Sequence, residues 1–201
     1  RKESSAASDV YKRQIYYKNW DKDMAEELVK RFGIDKKKKV CNLSKGMLSM
    51  LTVIIGLASK AEITILDEPA AGLDVIVREE FYKLIIDEQQ ENGRTFIIST
   101  HIIEEAANVF EEVIILKDKC VYLKENTVEL LDKCRYVSGL EEDVKNAVDG
   151  CKIINEEHIG RSYAVTVMQD GDGKIKAVQH VTVQPVSLQN LFIAICGQSN
   201  M

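Results

Sequence analysis

The sequence predicts an α/β fold with parallel strands, and three stretches carry that prediction. Ile63-Thr64-Ile65-Leu66 is a short apolar and β-branched run that stops abruptly at Asp67-Glu68-Pro69, the pattern of a strand buried in a parallel sheet. Thr95-Phe96-Ile97-Ile98-Ser99 repeats the pattern. Between them Val75 to Asn92 has an apolar face at helical spacing, through Val77, Phe81, Leu84 and Ile85, so strand, helix and strand succeed one another as an α/β sheet requires.

The chain has 201 residues, room for one domain with a small accessory part. With 45% hydrophobic and 29% charged residues it has the balance of an ordinary globular protein. A net charge of −5 argues against nucleic acid as the main partner, because phosphate binding needs a basic stripe. The single basic block, Lys36 to Lys39, reads as a solvated loop. Five scattered cysteines without a C-x-x-C pair fit free thiols in a reducing compartment. The most apolar stretch, Met47 to Ala58, is too short for the roughly 20 residues of a membrane span.

Taken in order, Arg1 to Gln14 is polar without an apolar period and is set aside as a non-native or disordered lead-in. Ile15 to Trp20 is aromatic-rich and is expected to pack into the core or as a staple on the next helix. Asp21 is a natural N-cap for that helix, which has Met24, Ala25, Leu28, Val29 and Phe32 on one stripe, and Gly33 stops it. Ser44 caps a second, strongly apolar helix from Lys45 to Lys60. Its N-terminal N–H groups form a ready anion site, and Gly46 permits close backbone approach.

Asp67 and Glu68 stand where the first strand ends, and ligand sites of open α/β sheets lie just beyond the strands' carboxyl ends. Side chains on a strand alternate in direction, so adjacent carboxylates suit two tasks. One can hold a metal, and the other can take a proton from water. Gly72-Leu73-Asp74 makes a turn in which Asp74 can cap the helix from Val75. After the second strand, Thr100-His101 leads into an acidic helix from Ile102 to Val109. Val113 to Leu116 and Cys120 to Leu123 read as two strands joined by a short turn, and Thr127 to Cys134 as a helix. From Arg135 the pattern is a strand, a helix near Glu141 to Val148, strands near 152–154, 162–168 and 178–183, a turn at Gly171-Asp172-Gly173, and a helix from Ser187 to Ile195.

Leu43-Ser44-Lys45-Gly46-Met47, Ile65-Leu66-Asp67-Glu68-Pro69, Gly72-Leu73-Asp74 and Ser99-Thr100-His101, in this order and spacing, resemble the signature loop, the Walker B strand with its catalytic glutamate, the D-loop and the switch histidine of ABC-type ATPases. The resemblance covers about Trp20 to Asp132. It implies a partial P-loop NTPase core, with a helical part over 15–60 and a catalytic core over 61–134, and then a small α+β accessory region over 135–201. It implies ATP and Mg²⁺ as cofactors, with Asp67 toward the metal, Glu68 as general base and His101 at the γ-phosphate. Ser44, Lys45, Gly46 and Asp74 would contact nucleotide across a dimer of like or different ATPase subunits. The first loop departs from the common Leu-Ser-Gly-Gly-Gln form, with Lys45 for a glycine and Met47 for the glutamine. That variant, and the ending Pro185 to Phe192, resemble ATPase subunits that serve separate ABC-2 type permeases.

No G-x-x-x-x-G-K-[ST] phosphate loop occurs in the sequence. In the family's order it belongs upstream of residue 15, so the chain is expected to be the C-terminal part of a longer protein and to be inactive alone. The function implied is the ATPase subunit of a transporter, working in export at the inner face of the cell membrane through a separate permease. A soluble ABC ATPase acting on ribosomes or DNA, or a non-catalytic ABC-like module, is the alternative.

Overall fold

The computed structural model describes residues 5, 6, 10, 12, 14–160, 162–169 and 173–197. The expected turn at Gly171-Asp172 lies outside them, as does most of the lead-in. Of the lead-in, Ala6 and Val10 are buried, and the Ala6 N–H donates to the Lys38 carbonyl at 2.9 Å. Contacts divide the chain into two units, Arg1–Ile102 and Ile103–Met201. No helix among the described residues is long and apolar enough to cross a membrane.

In the first unit, α1 (Lys22–Arg31) starts at Asp21, whose Oδ1 accepts from the Met24 N–H at 2.9 Å. It buries Ala25, Leu28 and Val29. The residues before it pack only in part: Ile15 and Tyr16 are exposed, whereas Tyr17 and Trp20 are half-buried with their rings stacked 6.0 Å apart. Helix α2 (Lys45–Ala58) is apolar nearly all round and buries Met50, Leu51, Val53, Ile54, Ile55, Leu57 and Ala58, as befits a central helix. Strand β1 (Ile63–Asp67) pairs in parallel with β2 (Thr95–Ser99), in a register that sets Asp67 beside Ser99. Helix α3 (Val75–Asn92) connects them and ends at Gly93 in the left-handed conformation.

The strands are not buried on both faces as their sequence predicts. Thr64 and Leu66 are covered, but Ile63 is 62% exposed, Ile65 73% and Ile97 49%. The covered face of β1 lies against α2, where Gly56 leaves room for Thr64 and Leu66. The opposite face stays open to solvent. An apolar run records what a strand is suited to bury, and this chain covers only half of it.

In the second unit, α4 (Ile103–Ala106) is a single turn, shorter than the helix expected to Val109. Asn108 and Val109 are weak helix formers, and one turn gives little cooperative support. Strands β3 (Glu112–Lys117) and β4 (Cys120–Asn126) form an antiparallel hairpin. Its turn residues Asp118 and Lys119 both have positive φ, the twist that suits a tight hairpin. Helix α5 (Thr127–Lys133) is capped by Asn126. The chain continues through β5 (Cys134–Gly139), α6 (Glu141–Ala147), β6 (Lys152–Ile159), β7 (Ser162–Met168), β8 (Thr182–Pro185) and α7 (Leu188–Cys196).

The last four strands make an antiparallel sheet in the order β6-β7-β5-β8. Strand β8 falls later than the predicted 178–183 and carries Pro185 at the sheet edge, where a missing N–H is tolerated. One core gathers Ile115, Leu130, Met168, Leu188 and Leu191; another gathers Val137, Val144, Val165 and Val167. Tyr163 is buried and donates to Glu156 Oε2 at 2.6 Å. Burial, reinforced by that carboxylate, pushes its phenol up to about 12.

Candidate functional site

The parallel register brings the ends of β1 and β2 together, and the sequence-predicted acidic pair sits there. The Ser99 hydroxyl hydrogen-bonds Asp67 Oδ1 across the two strand ends. The Glu68 N–H donates to the Ser99 carbonyl at 3.0 Å, with Ser99 Oγ 3.2 Å away. Glu68 does not continue the strand alternation expected of it. Its φ is +46°, a left-handed conformation that non-glycine residues seldom adopt, so the backbone turns at this residue. Such outliers cluster at functional sites because surrounding structure must hold them.

The turn delivers Glu68 to His101. Glu68 Oε2 lies 2.7 Å from His101 Nδ1, while the imidazole side chain is 72% exposed. Glu68 Oε2 is itself a buried atom without a hydrogen bond of good geometry, so the imidazole is its close polar neighbour. A carboxylate held against an exposed imidazole can accept a proton from a water at the site mouth and keep its orientation while doing so. Asp67, Glu68 and His101 therefore form one group.

Ser44, Lys45, Gly46 and Asp74 form a second group. Ser44 Oγ accepts from the Met47 N–H at 3.2 Å, capping α2. Asp74 Oδ1 accepts from the Val77 N–H at 3.0 Å, capping α3. Ser44, Lys45 and Asp74 are exposed. Gly46 packs directly on the turn before Asp74: a Cβ there would meet the Gly72 carbonyl oxygen at 2.4 Å. Gly72 has a φ of +80°, and Ser49 Oγ donates to the Ala71 carbonyl at 3.1 Å. The two groups are joined by the short turn in which the Ala71 N–H donates to the Glu68 carbonyl at 3.1 Å.

Among the described residues there is no cluster of three His, Cys, Asp or Glu side chains that could hold a metal. Mg²⁺ does not need one, since it takes one or two carboxylates with phosphate oxygens and waters. Asp67, exposed at the strand end with its carboxylate fixed by Ser99, fits that demand.

Two participants escape the sequence reading. Ser99 is visible only as the residue before Thr100-His101, and its link to Asp67 needs the strand register. Arg94 is buried beside Glu88, with Nη1 to Oε2 at 2.7 Å. Glu88 on the apolar face of α3 is the signal that could have found it, because a buried carboxylate demands a partner.

Residues 31–107 match the family model described as "AAA domain, putative AbiEii toxin, Type IV TA system". The ABC transporter ATP-binding protein YtrB of Bacillus subtilis (strain 168) is 26% identical over 191 residues, covering 92% of this chain and 65% of the relative. An uncharacterized ABC transporter ATP-binding protein of Methanocaldococcus jannaschii, MJ1023, is 33% identical over 156 residues, covering 77% of this chain and 54% of the relative. Among solved structures, the dimeric bacterial ABC transporter cassette MJ0796 superposes with a TM-score of 0.54 at 26% identity, over 61% of this chain and 56% of that one. The chain spans between 54% and 65% of the length of these two relatives.

Proposed function

We propose, for a chain that is homologous to ABC transporter ATP-binding proteins and carries part of the ABC ATPase fold, that it is a portion of an ATP-hydrolysing subunit that powers transport through a separate membrane permease. The Glu68–His101 contact beside Asp67 and Ser99 carries this reading. Glu68 takes the proton of the attacking water as its oxygen bonds to the γ-phosphorus and the bond to ADP breaks. His101 holds Glu68 and the water in line. Asp67 supplies the carboxylate for Mg²⁺, which when bound offsets charge on the phosphates. Ser44, Lys45 and Gly46 contact the nucleotide of a second ATPase subunit, alike or different, with Asp74 on the same surface. The family's phosphate-cradling motif is not among these 201 residues, and the exposed Ile63, Ile65 and Ile97 face is suited to packing against further structure. The region over 135–201 is an accessory module that succeeds the core over 15–134 in the chain.

The direction is export, on the Lys45 and Met47 variant of the signature loop and the Pro185 to Phe192 ending. The protein then works in the cytoplasm, held at the inner face of the membrane by its permease. A second reading, a non-transport ATPase, is favoured by the family-model match over residues 31–107. Purification of the tagged full-length protein from detergent-extracted membranes separates the two. Transport predicts a polytopic membrane protein in stoichiometric amount and phosphate release from ATP. Recovery with RNA or DNA instead would contradict transport.

A further inference from the structure

The geometry points to Arg94 as a positioning residue that joins α2 to β1 and thereby sets the signature loop relative to the acidic pair of the same subunit. Arg94 is 5% exposed and uses all five of its N–H donors. Nε donates to the Ala61 carbonyl at 2.9 Å. Nη1 donates to the Leu57 carbonyl at 2.8 Å and to Glu88 Oε2 at 2.7 Å. Nη2 donates to the Gly56 carbonyl at 2.9 Å and to Thr64 Oγ1 at 3.0 Å. The guanidinium also lies over the Phe96 ring, 4.9 Å from its centroid.

These partners come from different elements. Gly56 and Leu57 are in the last turn of α2, whose dipole favours a cation; the Gly56 carbonyl also accepts from Ser59 Oγ at 2.7 Å and the Leu57 carbonyl from the Lys60 N–H at 3.2 Å. Thr64 is on β1, Phe96 on β2 and Glu88 on α3. Lys60 Nζ extends the network, 2.7 Å from Glu88 Oε1 and 3.8 Å from Asp21 Oδ2, the residue that caps α1. One planar fork therefore binds the back end of α2 to β1 and α3. At the front end, Gly46 rests on Gly72 and Ser49 bonds to Ala71. Helix α2 is about 21 Å long at 1.5 Å per residue, so a small tilt about the Arg94 end displaces Ser44 and Gly46 appreciably. Glu68 serves the subunit's own nucleotide and Ser44 the partner's. Arg94 thus fixes the geometry between the two half-sites without touching either.

This inference rests on the proposed ATPase reading for its functional consequence, but the positioning can be tested apart from it. The experiment compares full-length wild type with Arg94→Lys and Thr64→Val. Lysine keeps the charge and loses the fork; Thr64→Val removes one bond and little volume. Amide hydrogen exchange is tracked at 45–49 and 71–74, alongside ATP turnover. Arg94→Lys is expected to speed exchange in both stretches about tenfold. It should lower kcat about tenfold with KM for ATP unchanged, since displacement of a positioned group by ~1 Å can cost more than that. Thr64→Val should give the same pattern at roughly two- to threefold, and it decides the matter if Arg94→Lys does not fold. Faster exchange confined to residues near Gly56, Ala61 and Arg94, with 45–49 unmoved, overturns the positioning role. An unchanged kcat beside faster exchange at 45–49 also overturns it. Absence of turnover in wild type defeats the ATPase reading instead, and the exchange pattern alone then judges Arg94.

Discussion

Glu68→Gln in the full-length protein is expected to lower ATP turnover by about 10² to 10⁴ and to leave nucleotide binding in place. The amide has nearly the size of the carboxylate, so the left-handed turn at Glu68 and the approach to His101 Nδ1 can persist. What is lost is the capacity to accept a proton from water. Positioned general-base catalysis is worth about 10² to 10⁴ in rate, and phosphate release should fall by that order. Nucleotide affinity, read by displacement of a fluorescent analogue, should stay within about threefold, and bound ATP should accumulate in a closed pair of subunits. Turnover near the wild-type rate would refute the assignment of Glu68 as base.

Gly46→Ala gives the second large effect, through packing. The new methyl carbon would stand 2.4 Å from the Gly72 carbonyl oxygen. Both partners are backbone, so no flexible side chain can yield. Either the start of α2 or the turn at Ala71 to Leu73 must move. Overpacking of this kind typically costs about 1–3 kcal/mol, read as a lower urea midpoint. Turnover should fall at least about tenfold, because the same shift displaces Ser44 from the nucleotide contact proposed for it. A variant with wild-type stability and turnover would show that Gly46 and Gly72 are not in contact in the working protein.

Much of the fold is legible in the sequence because its signals are local. Asp21, Ser44 and Asp74 each read as helix caps, and each side chain accepts the expected backbone N–H. Helix α3 and strands β1, β2 and β7 fall where the periodicity puts them. Asp67, Glu68 and His101 are legible as residues of one site because strand ends converge in a parallel sheet. What depends on register is not. The Ser99 hydroxyl reaches Asp67 only because these positions pair across β1 and β2. Arg94 gathers five bonds from segments up to 38 positions away, and no spacing rule announces such a network. The exposed Ile63 and Ile65 mark a different boundary. Their sequence shows a face suited to burial, and only the fold shows whether this chain provides the cover. The left-handed turn at Glu68 is illegible too, since no glycine or asparagine flags it.

The proposed ATPase function calls for a phosphate loop that these 201 residues do not contain. Sequencing the genomic DNA across and well upstream of the codon for Ile15 tests it most directly. The expected result is an in-frame strand and then G-x-x-x-x-G-K-[ST], continuous with the helix that begins at Lys22. A genuine start close to Arg1, with no such loop in frame, would contradict it. Asp67, Glu68 and His101 would then stand as the remains of an ATP site in a non-catalytic module.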